Sequence, residues 1–112
     1  MKVSEFIEYG GYELLTKPDF EDREISGCYT GDLLSWVMGR AGSGDVWITV
    51  MNNINIAAVA SLADTACILL AEGVSAADDV IKRADSQDII ILKSDKTGYE
   101  LCVDYYKFSQ NA

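Results

Sequence analysis

The stretch that most suggests chemistry is residues 39–47, GRAGSGDVW, in which three glycines, an arginine and a serine precede an aspartate. Glycine-rich loops bind phosphate because their bare backbone N–H groups can close around an anion. A Walker A loop, however, has a lysine and a hydroxyl residue after its second glycine, whereas Asp45 and Val46 follow Gly44 here. The loop also leads from a predicted helix into a predicted strand, the reverse of a phosphate-binding loop. The sequence therefore predicts a connecting segment and no phosphate site.

Few side chains are available for catalysis. The chain has no histidine, which excludes Ser–His–Asp and Cys–His pairs, zinc sites with histidine ligands and imidazole acid–base catalysis. The cysteines Cys28, Cys67 and Cys102 are odd in number and widely spaced, which favours a reducing cytosol over a disulfide framework. We expect them to be structural, with Cys67 buried, and the protein to behave alike with or without reductant. An enzyme that uses carboxylates or Cys28 stays open as an alternative that no sequence feature supports.

The sequence predicts neither a cofactor nor a metal site. The acidic pairs at 78–79 and 85–88 have helical spacing but lack the ligand pattern and the glycine of a calcium-binding loop. The chain carries 18 acidic against 9 basic residues, and its net charge of −9 disfavours nucleic acids and anionic membranes as partners. Because an apolar run of about 20 residues is also absent, we expect a cytoplasmic protein that does not bind a membrane.

Segments with strand and helix periodicity alternate along the whole chain. The predicted strands lie at 12–16, 25–30, 45–51, 67–73 and 88–92. The predicted helices lie at 2–11, 32–38, 56–64 and 75–84 and in a segment that begins at Thr97, although 56–64 also has a strand reading. This order predicts a single α/β domain over residues 1–112, with about five mostly parallel strands and helices on both faces.

Three of the helices have candidate N-terminal caps. Thr30 or Asp32 precedes the helix at 32–38, which we expect to end at Gly39. The helix at 75–84 opens with Ser75 and Asp78 in capping-box spacing, and the last helix opens with Thr97 and Glu100 in the same spacing. On that last helix, the apolar side chains of one face are Leu101, Tyr105 and Phe108. The tail at 109–112 is expected to be frayed.

Residues 29–73 resemble a DRTGG domain, a family related in fold to the N-terminal domain of HPr kinase/phosphorylase. The resemblance lies in GDLLSWVMG, WITV, NINIAAVASLAD and an apolar strand that closes on EG, and with VIKRADSQDIIIL it extends over nearly the whole chain. The pentapeptide that names the family is absent, and DKTGY at 95–99 is a loose echo of it. In such proteins the chemistry belongs to an attached domain. The resemblance therefore implies a non-catalytic regulatory or dimerising module with the HPr-kinase N-terminal-domain fold.

The helix at 32–38 is the first candidate contact surface. Its apolar side chains cover an arc of about 200° on a helical wheel, where one packing face needs only about 100°. We therefore expect a homodimer built partly on this helix, and contacts with an unidentified protein partner. The alternative is that another helix of the same chain covers both sides. The apolar residues are Leu33, Leu34, Trp36, Val37 and Met38.

The second candidate is a ligand-binding edge, where open α/β sheets bind small molecules at the carboxyl ends of their strands. A sensor of a small molecule such as a nucleotide would use polar side chains placed at this edge. The alternative is that the same side chains serve as helix caps and turn formers. The residues are Thr30, Asp32, Asn52, Asn53 and Asn55.

Overall fold

A five-stranded sheet runs through the computed structural model, which describes residues 1–111. The strands are β1 Glu13–Leu14, β2 Gly27–Thr30, β3 Asp45–Thr49, β4 Cys67–Leu70 and β5 Ile91–Lys93. Their order across the sheet is β1-β5-β4-β3-β2, so β1 and β2 are the two edges. All neighbouring strands are parallel except β1, which pairs antiparallel with β5. Parallel strands need crossover connections, which explains why helices separate them along the chain.

Helices cover both faces of this sheet, which confirms the predicted fold class. The helices are α1 Val3–Gly10, α2 Leu34–Arg40, α3 Ile56–Ala63, α4 Asp78–Ser86 and α5 Gly98–Gln110. The helices α1 and α5 pack on one face, and α2, α3 and α4 pack on the other. Within residues 1–111, no helix combines the length and the apolar character needed to cross a membrane.

The central strands alternate their side chains between the two faces as predicted. Val46 and Ile48 of β3 pack toward α1 and α5, and Trp47 between them packs toward α2, α3 and α4. All four residues of β4 are buried. Because both faces of these strands are covered, their sequences are almost continuously apolar.

The start and end of α2 differ from the prediction. Leu33 is the N-cap, and the helix continues through Gly39 to Arg40, with Ala41 as the C-cap. Asp32 does not cap the helix because its carboxylate oxygen accepts hydrogen bonds from Thr49 Oγ1 at 2.7 Å and from the backbone N–H of Val50 at 3.0 Å. The Asp32 carboxylate therefore stabilises the end of β3 and not, as the sequence predicted, the start of α2.

The other helix boundaries confirm some predictions and correct others. The predicted capping box of α4 is wrong, because Ala77 is the N-cap, no side chain caps the helix, and Ser75 lies outside it. The capping box of Thr97 and Glu100 is confirmed at α5. Residues 56–63 are a helix, which decides between the two readings of that segment. The predicted frayed tail is helical as far as Gln110, and residue 112 lies outside the described residues.

Candidate functional site

The glycine-rich loop is closed by its own hydrogen bonds. The backbone N–H of Gly42 donates to Asp45 Oδ2 at 2.7 Å, and the N–H of Asp45 donates to the Gly42 carbonyl at 3.1 Å. Gly44 has a φ of +83°, which glycine adopts without steric cost. The Asp45 carboxylate therefore takes a backbone donor that a phosphate would need, and its negative charge would repel the anion. The connecting role predicted for this loop agrees with the geometry.

The same loop is tied to the end of α3 through Asp64. Ser43 Oγ donates to Asp64 Oδ2 at 2.6 Å, and the Arg23 guanidinium lies 2.9 Å from Asp64 Oδ1. The Ser43 hydroxyl, followed by the charge of Arg23, lowers the pKa of the Asp64 carboxyl below its ordinary value. Arg23 also donates to the carbonyl of Thr65 at 2.7 Å. These contacts join the segments that precede β2, β3 and β4, which is a structural role.

A cavity of about 170 Å³ lies at the carboxyl ends of the parallel strands, where the sequence analysis expected a ligand edge. Thr30 and Asp32 both line it, together with Thr49, Glu72 and Gly98. The Thr49 hydroxyl donates to Asp32 and accepts a bond from the backbone of Met51. The polar groups of this cavity are thus partly satisfied within the chain.

The three asparagines of the predicted edge do not line this cavity. Asn52 Nδ2 donates to the Ser75 carbonyl at 2.8 Å, which joins the turn after β3 to the segment before α4. Asn53 Oδ1 accepts a bond from the backbone N–H of Asn55 at 2.9 Å, an Asx-type turn that leads into α3. Their observed contacts therefore stabilise turns.

The start of α5 forms one wall of the cavity, and its backbone donors are partly occupied. The Thr97 N–H donates to Glu100 Oε1 at 3.0 Å, and the Glu100 N–H donates to Thr97 Oγ1 at 3.2 Å. A helix N-terminus attracts anions, but here a carboxylate of the same chain is already bound to it. The cavity-lining residues include two further acids, Asp32 and Glu72, and no basic one. Its chemistry suits hydroxyl or cationic groups better than phosphate.

A second surface, on α2, is apolar and exposed to solvent. Leu33 is 56% exposed, Trp36 is 51% exposed and Met38 is 45% exposed; we call these three residues the α2 surface. The other two predicted interface residues pack inward, because Val37 is fully buried and Leu34 is half-buried against the core beneath α2. The guanidinium carbon of Arg40 lies 3.8 Å from the centroid of the Trp36 ring, a cation–π contact on one ring face.

Metal binding has no support in the described part of the chain. Within residues 1–111, no group of three or more His, Cys, Asp or Glu side chains is arranged to hold a metal ion. Sequence reasoning did miss one juxtaposition, in which Cys28 on β2 and Cys102 on α5 pack against the same apolar core. The two positions lie near opposite ends of the chain, and only the crossover topology brings them together.

Comparison with known proteins supports the fold. No protein-family model matches the chain, and no curated protein matches it. A matching solved structure is the CBS and DRTGG domains of the regulatory region of the Clostridium perfringens pyrophosphatase, in complex with its activator diadenosine tetraphosphate. The TM-score is 0.66 at 11% identity, over 88% of this chain and 43% of the length of that chain. At this identity the likeness shows a DRTGG-like fold and carries no residue role across.

Proposed function

We propose that this chain is a non-catalytic regulatory module that acts through protein contacts and pairs with a second copy of itself. The observation that carries the proposal is the α2 surface, where three large apolar side chains of one short segment face solvent. Soluble monomers seldom expose contiguous apolar patches of this kind, and two-fold pairing is the commonest way in which they are covered.

A further exposed apolar side chain lies on the helix next to α2. The helix α3 packs against α2, and its Leu62 is 75% exposed. Arg40 and Trp36 are both types that are enriched at protein interfaces, and a stacked arginine retains free donors at its edge for a partner carbonyl or carboxylate. A dimer would bury apolar groups at its centre and leave polar groups such as Arg40 and Ser35 at its rim.

The fold comparison supports the regulatory part of the proposal. The similar structure comes from the regulatory region of a pyrophosphatase, which is distinct from a catalytic domain. The closed glycine loop and the lack of histidine agree with a module that leaves chemistry to another protein. We propose that this other protein is the second, unidentified partner.

The oligomeric state of the purified chain tests the proposal. Light scattering at tens of micromolar should give a dimer for the wild type and a monomer for Trp36→Asp, because the substitution places a charge in the apolar contact. Tyr106→Asp is the matched control, since Tyr106 is an exposed aromatic residue on α5, across the sheet. We expect that variant to remain dimeric. A monomeric wild type would contradict the proposal, as would a Trp36→Asp variant that dimerises like its parent.

A second candidate function is the sensing of a small molecule in the cavity beside Thr30 and Asp32. It is favoured by the position of that cavity at the carboxyl edge of the sheet and by the nucleotide activator of the similar regulatory region. The acidic lining and the small volume argue against a nucleotide in this cavity.

Thermal unfolding with added diadenosine tetraphosphate, ATP or AMP tests whether the chain senses a nucleotide. Our proposal expects no change in Tm. Saturating binding at a hundred times Kd would stabilise the fold by about 2.7 kcal/mol. A ligand-dependent rise in Tm that Thr30→Ala removes would favour the sensing function, because Thr30 is an exposed residue that lines the cavity.

A further inference from the structure

The two edges of the sheet differ in how well they are protected against pairing with another chain. The edge strand β2, Gly27–Thr30, has four residues, and none of them is charged or a proline. The other edge strand, β1, has only two residues, and one of them is the exposed Glu13. Short length and charged side chains are common protections of a sheet edge. The β1 edge has both, and the β2 edge has neither.

The register of β2 against β3 shows which backbone groups face outward. Thr30 is opposite Ile48, and the Ile48 carbonyl accepts from the N–H of Gly31 at 3.2 Å. Successive residues of a strand direct their backbone groups to opposite sides, so Tyr29 also faces β3, whereas Cys28 and Thr30 face away from it. Among residues 1–111, no backbone group bonds to the outward N–H and carbonyl groups of Cys28 and Thr30.

A second, antiparallel copy of β2 matches this spacing. With a two-fold axis at Tyr29, Cys28 lies opposite Thr30 of the second copy, and the two residues exchange both of their backbone hydrogen bonds. Tyr29 then lies opposite Tyr29 of the second copy, at a position without hydrogen bonds, where side chains are closest. Aromatic pairs at such positions stabilise antiparallel strands. The outward groups of β2 are therefore complementary to themselves.

The α2 surface lies on the same side of the molecule as this edge. Tyr29 of β2 and Leu34 of α2 pack against the same core. The helix α2 contacts α3, which contacts α4, so α2 is the outermost helix of its face on the β2 side. A two-fold axis at β2 would therefore bring α2 next to its copy.

The area of the α2 surface is too small for a stable dimer. Because its three side chains are each about half exposed, it offers on the order of 300 Å². A stable interface buries about 800 Å² on each partner. A dimer that uses the α2 surface therefore needs additional contact area beside it, and the open β2 edge supplies such area.

The charge distribution also favours a second copy as the occupant of this edge. The chain has a net charge of −9, so two copies repel each other in most orientations. Residues 25–40, which include β2 and α2, carry one acid, Asp32, and one base, Arg40. Two copies can therefore meet at this neutral segment with little repulsion.

We propose that two copies of the chain pair through antiparallel β2 strands, which joins their sheets into one continuous sheet with α2 beside its copy. This inference rests on the proposed function, because it adds a second contact surface to the same dimer. The joined sheet has only the protected β1 strands at its edges. The assembly therefore closes as a dimer and does not extend into a filament.

Removal of one outward N–H tests the pairing. Thr30→Pro lacks that donor, and proline is tolerated on an edge strand where the N–H faces outward. Light scattering over a dilution series should show dimerisation at least about tenfold weaker than in the wild type, because the two-fold axis doubles the loss. Thr30→Val is the matched control; it keeps the N–H and a β-branched side chain, and it should dimerise like the wild type.

Amide hydrogen exchange by NMR gives a second readout. The Cys28 N–H should exchange at least about tenfold faster in Thr30→Pro than in the wild-type dimer. The Tyr29 N–H faces β3 in both proteins and should be unchanged, which also shows that the variant is folded. If Thr30→Pro does not fold, the wild type decides: Cys28 and Thr30 amides as well protected as that of Tyr29 would support the pairing.

Two results would overturn the inference in different ways. A wild-type dimer in which the Cys28 and Thr30 amides exchange freely, or which Thr30→Pro forms as well as Thr30→Val, would exclude β2 from the interface and leave the α2 contact in place. A wild type that stays monomeric at tens of micromolar would overturn this inference together with the proposed function.

Discussion

The two faces of the sheet are packed with different kinds of side chain. On the α1 and α5 face, Phe6 is the centre of an aromatic cluster, with ring centroids 4.9 Å from Tyr12 and 5.2 Å from Phe108. On the opposite face, small residues such as Ala57, Ala60 and Ala84 are buried and let the helices approach closely. We call these the aromatic layer and the alanine layer. In the aromatic layer, large rings fill the space between the sheet and the helices. In the alanine layer, small side chains keep that space narrow.

The surfaces of the two layers differ in a matching way. The exposed large side chains on the helices of the aromatic layer are tyrosines, Tyr9, Tyr99 and Tyr106, each of which carries a polar hydroxyl. The alanine layer exposes Leu33, Trp36, Met38 and Leu62. Most of these side chains end in an apolar group. Their exposure to water therefore costs more free energy than the exposure of the tyrosines. The association surface that we propose therefore lies on the layer whose exposed side chains are the more costly.

Removal of a large ring from the aromatic layer should have the largest effect. We expect Phe6→Ala to lower the free energy of unfolding by about 3–5 kcal/mol, because Phe6 is fully buried and its truncation leaves a cavity between Tyr12 and Phe108. Urea unfolding followed by tryptophan fluorescence measures the change. Tyr106→Ala, on the exposed side of the same layer, should change the stability by less than about 0.5 kcal/mol. A loss below about 1 kcal/mol for Phe6→Ala would mean that the layer repacks easily.

Addition of side-chain volume should instead affect the alanine layer. We expect Ala60→Leu to lower the free energy of unfolding by about 1–3 kcal/mol, because Ala60 is fully buried where α3 packs among its neighbours. Ala58→Leu on the same helix is the control, since Ala58 is exposed and leucine is a good helix former. The same urea experiment compares the two variants. Equal stabilities would contradict the close packing inferred for this layer.

The division into layers could be read only partly from the sequence. The alternation of Val46 and Ile48 with Trp47 predicted correctly that β3 has two buried faces. Which helix covers which face depends on the handedness and order of the crossovers, and no local pattern encodes them. The packing of Cys28 and Cys102 against the same core is missing from the sequence analysis for that reason.

The helix caps, too, could be predicted only in part from the local sequence. Asp32 is a good N-cap by type, but the end of β3 supplies donors from Thr49 and Val50 that hold its carboxylate elsewhere. The predicted edge was partly informative, because Thr30 and Asp32 share a cavity while Asn52 takes part in a turn contact. Local chemistry predicts which side chains will find partners, and the tertiary structure decides which partners these are.

The smallest of the three effects should distinguish the helix starts of the two layers. In the aromatic layer α5 begins with a reciprocal capping box, in which Thr97 Oγ1 accepts from the Glu100 N–H. In the alanine layer α4 begins without a side-chain cap, although Ser75 lies three residues before its first residue, Asp78.

We expect Thr97→Ala to lower the free energy of unfolding by about 1 kcal/mol, because the Glu100 N–H loses its partner. Ser75→Ala is the matched control and should cost no more than a few tenths of a kcal/mol, since within residues 1–111 Ser75 uses its backbone carbonyl, which accepts from Asn52, and not its hydroxyl. Urea unfolding of both variants measures the difference, and amide hydrogen exchange at the start of α5 should become faster in Thr97→Ala alone. Equal losses in the two variants would mean that Ser75 caps α4 in solution, and the contrast between the two helix starts would then be wrong.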